Sequence, residues 1–242
     1  MDPAIRLVIV ASLVILSGLA WAWTVAAAAM PDCHLLGLGP FVIMWTIMMA
    51  AMMLPSMIPV VLAFTAFTRT RRGETGRVRP ISIAGVAAGL FVSGYLVAWG
   101  LLGVPAYALL ETATRLTDTL PAFAAAGPVV GGLLLIACGV YQLTPLKDAC
   151  LRHCRVPHLF LGHHWRDGLG GALALGMHHG LYCAGCCASL MVVLMVVGLM
   201  NLTWMIGLSA IIYLEKIVPR GLVVGRAAGI ALCAAGIARL VA

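Results

Sequence analysis

Long apolar stretches follow one another through the chain, and charged residues are nearly confined to the short segments between them. Of the 242 residues, 63% are hydrophobic and 10% are charged, whereas an average soluble domain carries about 25% charged residues. A helix of about 20 apolar residues crosses a hydrocarbon core of about 30 Å. The pattern therefore predicts an all-α, polytopic bundle of transmembrane helices. Because no hydrophilic block is separate enough to fold alone, we expect one integral membrane domain over residues 1–242.

The apolar stretches predict about seven membrane helices. Their expected bounds are residues 5–29, 40–67, 81–110, 122–143, 168–199 and 203–215, with a seventh helix from about 221 to the C-terminus. The sixth stretch is short for a full crossing. The first is too long for the apolar core of a signal peptide and lacks a clear cleavage site, so we expect a retained helix.

Positive charge gathers in the segments 68–80, 145–167 and 216–221, all on one side of the predicted bundle. Lysine and arginine mark the cytoplasmic side of a membrane protein. We therefore expect a cytoplasmic N-terminus and an external C-terminus. The net charge of +7 is interpreted as this topology signal, and no nucleic-acid partner is expected.

The fifth predicted helix carries the densest group of candidate metal ligands, within GMHHGLYCAGCCASLMVVLM (residues 176–195). Residues three and four apart share a helix face, so His179, Cys183 and Cys186 fall in a narrow arc with Cys187 beside them. Thiolates next to an imidazole suit Cu(I) or Zn(II). A single buried cysteine usually packs as a small hydrophobe, but four such ligands on one face favour a metal site.

The second predicted helix contains six methionines in fourteen positions. They form two stripes of i, i+4 spacing, Met44, Met48 and Met52 in one and Met49, Met53 and Met57 in the other. Thioether sulfur is a soft, uncharged ligand that can hold Cu(I) inside a membrane. Methionine is also an adaptable packing residue, so both interpretations of the stripes remain open.

A second possible site lies in the predicted cytoplasmic segment 145–167. Cys150 and Cys154 are four residues apart with His153 between them, a spacing that suits a metal site of two or three ligands. The adjacent His163 and His164 are interpreted as a solvated patch.

Three further groups of residues are weaker candidates for a functional role. Glu215 and Lys216 end the sixth helix and are expected to extend to the membrane interface. Cys33 and His34, in an external loop, are weak candidates for receiving a metal. The lone Cys138 and Cys233 are expected to be packing residues.

Placed on the predicted topology, the soft ligands form a series across the membrane. The methionine stripes lie in the outer to middle part, the Cys183 face lies near mid-depth, and Cys150 with Cys154 lies at the inner mouth. This series requires the second and fifth helices to be neighbours.

Four segments together resemble a bacterial family of predicted metal-binding integral membrane proteins, catalogued as a domain of unknown function. They are MWTIMMAAMMLPSMIP (44–59), YQLTPLKDACLRHCRVP (141–157), GMHHGLYCAGCCASLM (176–191) and GLMNLTWM with EKIVPRG (between 198 and 221). The resemblance implies metal binding in a multi-pass protein of a bacterial inner membrane. It names no substrate and no reaction.

The leading functional hypothesis is a membrane protein that binds a soft transition metal, with Cu(I) favoured and zinc as an alternative, for transport, delivery or assembly of a copper-dependent membrane enzyme. Its expected partners are the lipid bilayer and such an enzyme or other membrane subunits. Alternatives are a structural subunit, a haem protein using His178 and His179, or a thiol–disulfide oxidoreductase with Cys183/Cys186 and Cys150/Cys154 as pairs. Apart from that oxidoreductase, no pattern of catalytic residues is present, which favours a non-enzymatic role.

Overall fold

The computed structural model describes residues 3–29, 37–73 and 81–241, which are almost entirely helical and contain no strand. The helices are α1 (Pro3–Ala28), α2 (Leu38–Gly73), α3 (Ile81–Thr119), α4 (Pro121–Ala125), α5 (Gly127–Gln142), α6 (Pro145–Arg155), α7 (Pro157–His164), α8 (Gly168–Val197), α9 (Leu202–Ile217) and α10 (Gly221–Val241). Cys33, His34 and most of the arginine-rich segment 68–80 lie outside the described residues.

Five described helices, α1, α2, α3, α8 and α10, are long and apolar enough to cross a membrane. Helices α5 and α6 meet at an angle of 59° and form a sixth span if they are counted as one bent element. The all-helical membrane architecture is confirmed at this level. The count of seven is not confirmed, since α9 has 16 residues and falls short of the required length.

The segment 145–167, predicted as a loop, instead folds into α6 and α7. Thr144 caps α6 by accepting a hydrogen bond from the backbone N–H of Lys147. Leu151 and Cys154 are buried on one face of α6, where the helix packs against α8. The amphipathic face of α6 is therefore part of the bundle and not a surface loop.

Glycines permit a close helix contact between α3 and α8. A side chain at Gly176 would overlap the carbonyl oxygen of Phe91, and one at Gly180 would lie 2.7 Å from the Cβ atom of Ala98. The missing side chains at these two positions therefore let α3 and α8 pack closely. The neighbours that the ligand series requires are not the main ones in the structure: α8 packs chiefly along α3, whereas α2 packs along α1 and α3 and also contacts α9, which touches α8.

Candidate metal centre

Three cysteine side chains from two helices converge in the interior of the bundle. The Sγ atoms of Cys154 on α6 and of Cys183 and Cys186 on α8 all lie within 4.8 Å of one another, and the three residues are buried. The Sγ atoms of Cys154 and Cys186 are 3.9 Å apart. An ion bound to three sulfurs at about 2.3 Å separates them by about 4 Å. The thiols of this trio are therefore already spaced to hold a metal ion.

The trio combines residues that the sequence assigned to two separate sites. Cys154 was expected at the inner mouth with Cys150 and His153, but α6 folds against α8 and brings Cys154 to Cys183. Cys150 lies one helical turn away, half-buried beside Gly185. His153 is directed elsewhere, with its ring stacked on Tyr182 at a centroid distance of 4.1 Å.

Two other predicted ligands on α8 are buried but lie outside the trio. The Cys187 thiol donates a hydrogen bond to the carbonyl oxygen of Cys183, at 2.9 Å. The ring of His179 packs against the rings of Phe91 and Phe160, with centroid distances of 6.0 and 5.1 Å. Sharing a helix face with Cys183 brings these side chains near the trio without bringing their ligand atoms into it.

Lys216 enters the site from the end of α9, which corrects the expectation that it reaches the interface. Its ammonium Nζ lies 3.0 Å from the Cys183 Sγ atom, 3.2 Å from the Ser56 Oγ atom and 3.9 Å from the Met53 Sδ atom. Helix α9 ends inside the bundle, between α2 and α8, so the Lys216 side chain lies against sulfur atoms and does not extend to the membrane interface. A charged side chain buried among apolar helices of this kind is a candidate functional residue.

Tyr95 of α3 is a contact that sequence reasoning missed. Its hydroxyl lies 3.0 Å from the Cys183 Sγ atom, and both residues are fully buried. A sulfur that faces an ammonium and a hydroxyl can accept a hydrogen bond from each when it is a thiolate. The surroundings of Cys183 therefore suit the anionic form that binds metals.

A family model of copper chaperones, PpoB2, matches residues 42–239. The chain belongs to the PpoB2 copper chaperone family. The match runs from α2 to α10 and includes the cysteine trio and Lys216. It confirms the resemblance to a metal-binding family drawn from the sequence. No curated protein and no solved structure gave a significant match.

In this PpoB2 family member, a second buried charge adjoins Lys216. The Glu215 carboxylate lies 2.8 Å from the Lys147 Nζ atom and accepts a hydrogen bond from Gln142 at 3.3 Å. Arg155 donates to the backbone carbonyls of Glu215 and Val218, at 2.6 and 2.7 Å. These contacts tie α6 to α9 and so fix Cys154 relative to Lys216.

The methionines predicted as ligands, Met48, Met49, Met52 and Met53, are all buried within the core. The Met53 Sδ atom lies 3.9 Å from the Nζ atom of Lys216 and so adjoins the site. Their burial suits packing, and a ligand role for the stripes stays a prediction.

The two adjacent histidines of α7 differ from each other. His163 is exposed, as expected of a solvated patch. His164 is half-buried, and its Nε2 atom lies 3.4 Å from the Tyr182 hydroxyl. The expectation is wrong for His164 because α7 folds against the bundle and turns this ring inward.

Proposed function

We propose that this protein binds Cu(I) at Cys154, Cys183 and Cys186 and delivers the ion to a copper-dependent protein in or at the bacterial inner membrane. The observation that carries the proposal is the convergence of three buried thiols in a chain of a copper chaperone family. Copper is the cargo of this protein, and its three sulfurs are the binding site.

The chemistry of the site supports a soft transition-metal ion. Thiolates select Cu(I) and zinc over hard cations. All three ligands of the described trio are sulfurs, whereas magnesium and calcium require oxygen ligands. Cu(I) with three thiolates carries two negative charges, and the ammonium of Lys216 offsets one of them. Burying an uncompensated charge is costly, so Lys216 favours the loaded state. Zinc with three thiolates carries one negative charge, which Lys216 offsets in full, so zinc is the ion to test against copper.

The position of the trio suits delivery. Two ligands lie on the spanning helix α8, and the third lies on the short helix α6. Separating α6 from α8 removes Cys154 from the ion and leaves two sulfurs. A partner protein that offers its own soft ligands at this joint can therefore take the ion stepwise, while Lys216 stays beside Cys183.

The test compares two neighbouring cysteines of α6. Anaerobic, detergent-purified protein is titrated with Cu(I) in competition with a chromophoric Cu(I) chelator, and the titration is repeated with zinc. Replacing a direct ligand costs more than the 10–100-fold in affinity that outer-shell changes cost, so Cys154→Ser is expected to weaken Cu(I) binding by more than about 100-fold. Cys150→Ser, one turn away, is the matched control and is expected to change it less than about threefold. Equal effects of the two variants, or wild-type protein that binds no copper, would contradict the proposal.

The 3.9 Å between the Cys154 and Cys186 Sγ atoms also supports a second candidate function, thiol–disulfide exchange. The pair differs from both pairs expected from the sequence. Oxidation would join the two sulfurs, release two protons and pass two electrons to an acceptor such as a quinone. Alkylation trapping in intact cells tests it. A Cys154–Cys186 disulfide that forms under oxidant would support exchange, and thiols that stay reduced would exclude it.

A further inference from the structure

Arg155, the residue after Cys154, ends α6 and reaches the end of another helix. Its guanidinium donates hydrogen bonds to the backbone carbonyls of Glu215, Val218 and Pro219, at 2.6, 2.7 and 2.9 Å. The last carbonyls of a helix carry partial negative charge and lack partners within the helix, so an arginine is stabilising there. The side chain of Arg155 therefore joins the end of α6 to the end of α9.

A glycine makes room for this contact. A side chain at Gly221, the first residue of α10, would overlap both the Nη1 atom of Arg155 and the carbonyl oxygen of Glu215. Gly221 is buried, so a larger residue there would push the guanidinium away from its acceptors. The start of α10 is thus shaped to accept the arginine of α6.

Two side chains tie α6 to α9, and they differ in their access to solvent. Lys147, near the start of α6, pairs with Glu215 in the buried interior. Arg155, at the other end of α6, is half-buried. The start of the helix is held by the buried pair and follows the 59° bend from α5. The end that can be reached from outside is therefore the Arg155 end, and the copper ligand Cys154 lies beside it.

Arg155 has no countercharge among the described residues. Its three acceptors are neutral carbonyls, and none of the described ion pairs includes it. A carboxylate binds a guanidinium through two parallel hydrogen bonds and brings the opposite charge, so it can compete with these carbonyls. The exposed Arg152 and Arg220, near the two ends of the contact, add positive charge that attracts an acidic group.

We propose that Arg155 is a latch that holds Cys154 in the copper site, and that a carboxylate of the receiving protein opens it. The carboxylate takes the guanidinium from the carbonyls, the end of α6 lifts from α9, and Cys154 leaves the ion. Copper stays Cu(I): its bond to the Cys154 sulfur breaks as a bond to an acceptor thiolate forms, and the proton of that acceptor thiol passes through water to Cys154.

The latch rests on the proposed function of the trio and adds the chemistry of the partner. Arg155 is a positioning residue, since it acts on copper through Cys154. The receiving protein must carry an acidic side chain close to its own soft ligands.

The first experiment measures release. Anaerobic, copper-loaded protein is mixed in stopped flow with an excess of an uncharged chromophoric Cu(I) chelator. Loss of hydrogen bonds from a charged donor is expected to make Arg155→Gln release copper about tenfold faster. Arg152→Gln, the exposed neighbour with the same change of charge, is the matched control and is expected to change the rate less than about threefold. Gly221→Ala disturbs the same contact without removing a charge and should match Arg155→Gln.

X-ray absorption of the same samples separates the outcomes. Three bound sulfurs show that a variant is folded with its trio intact, and faster release from such a sample supports the latch. Three sulfurs with the wild-type release rate in both Arg155→Gln and Gly221→Ala would overturn the latch and leave the trio standing. Wild-type copper without sulfur ligands would instead overturn the proposed function.

The second experiment tests the carboxylate. Two synthetic acceptor peptides share one Cys-x-x-Cys sequence and differ in the flanking residues, which are glutamates in one and glutamines in the other. We expect wild type and Arg152→Gln to pass copper to the glutamate peptide about tenfold faster, and Arg155→Gln to lose this preference. An equal loss in Arg152→Gln would indicate general attraction to a basic surface and overturn docking at Arg155. A wild type without preference would overturn the role of the carboxylate.

Discussion

The chain has two lysines, and both are buried, yet they have different kinds of partner. Lys147 is paired with the carboxylate of Glu215, which brings its own charge. Lys216, the next residue after Glu215, instead faces the sulfur of Cys183, the hydroxyl of Ser56 and the thioether of Met53. The charge of Lys147 is therefore balanced within the protein. The charge of Lys216 is balanced when the sulfurs are anionic, as they would be around a bound metal ion, so Lys216 is part of the proposed binding site.

The largest expected effect follows from breaking the complete pair. Glu215→Leu leaves the Lys147 ammonium buried without a countercharge, which is expected to cost about 3–5 kcal/mol in the free energy of unfolding. Lys147→Met combined with Glu215→Leu removes both charges and is expected to recover most of that loss. Denaturant titration of the purified protein measures both variants. A double variant that is less stable than Glu215→Leu would contradict the interpretation of the pair as structural.

Breaking the other contact should act on copper. Lys216→Met removes the charge that offsets the copper–thiolate group, and such supporting contacts are worth about 10–100-fold in metal affinity. Its effect on the unfolding free energy should be smaller than that of Glu215→Leu, because neutral thiols need no countercharge. Chelator competition and denaturant titration of the same samples test this. Unchanged copper affinity would show that Lys216 has no part in binding.

The sequence predicted the class of fold well and the site only in part. Long apolar runs and few charges are sufficient to predict an all-helical membrane protein. The helix period also placed Cys183 and Cys186 on one face. What the sequence did not show is the tertiary packing of α6. The charge on α6 resembled a cytoplasmic loop, and nothing local to Cys154 shows that α6 folds back onto α8.

Lys216 and Tyr95 illustrate the second limit. A lysine at the end of an apolar helix fits the interface equally well, and the choice depends on where that end lies relative to α2 and α8. A tyrosine within α3 is an ordinary membrane residue until its hydroxyl is found beside Cys183. The rule that a charge within an apolar segment marks function would have found Lys216. No signal in the sequence singles out Tyr95.

A smaller effect distinguishes the methionines of α2. Met53→Leu removes the thioether beside Lys216, whereas Met49→Leu, an equally buried neighbour, serves as the matched control. Loss of one weak contact worth about 1 kcal/mol corresponds to a several-fold loss of Cu(I) affinity for Met53→Leu. We expect Met49→Leu to leave the affinity unchanged. Similar losses in the two variants, measured by chelator competition, would favour a ligand role for both stripes.

The smallest effect is expected at Cys187. Its thiol donates to the backbone of its own helix, and a serine hydroxyl can make the same bond. Cys187→Ser should therefore change Cu(I) affinity less than about twofold, since a donor is exchanged for a donor. Competition titration beside Cys186→Ser gives the comparison, and equal losses would make Cys187 a ligand.

X-ray absorption of the protein loaded with one equivalent of Cu(I) tests the central claim most directly, because it counts the sulfurs bound to the ion. Three sulfur ligands at about 2.3 Å are expected for wild type, with two in Cys154→Ser and no change in Cys150→Ser. A first shell without sulfur, or one that is identical in wild type and Cys154→Ser, would contradict the assignment of the trio as the copper site.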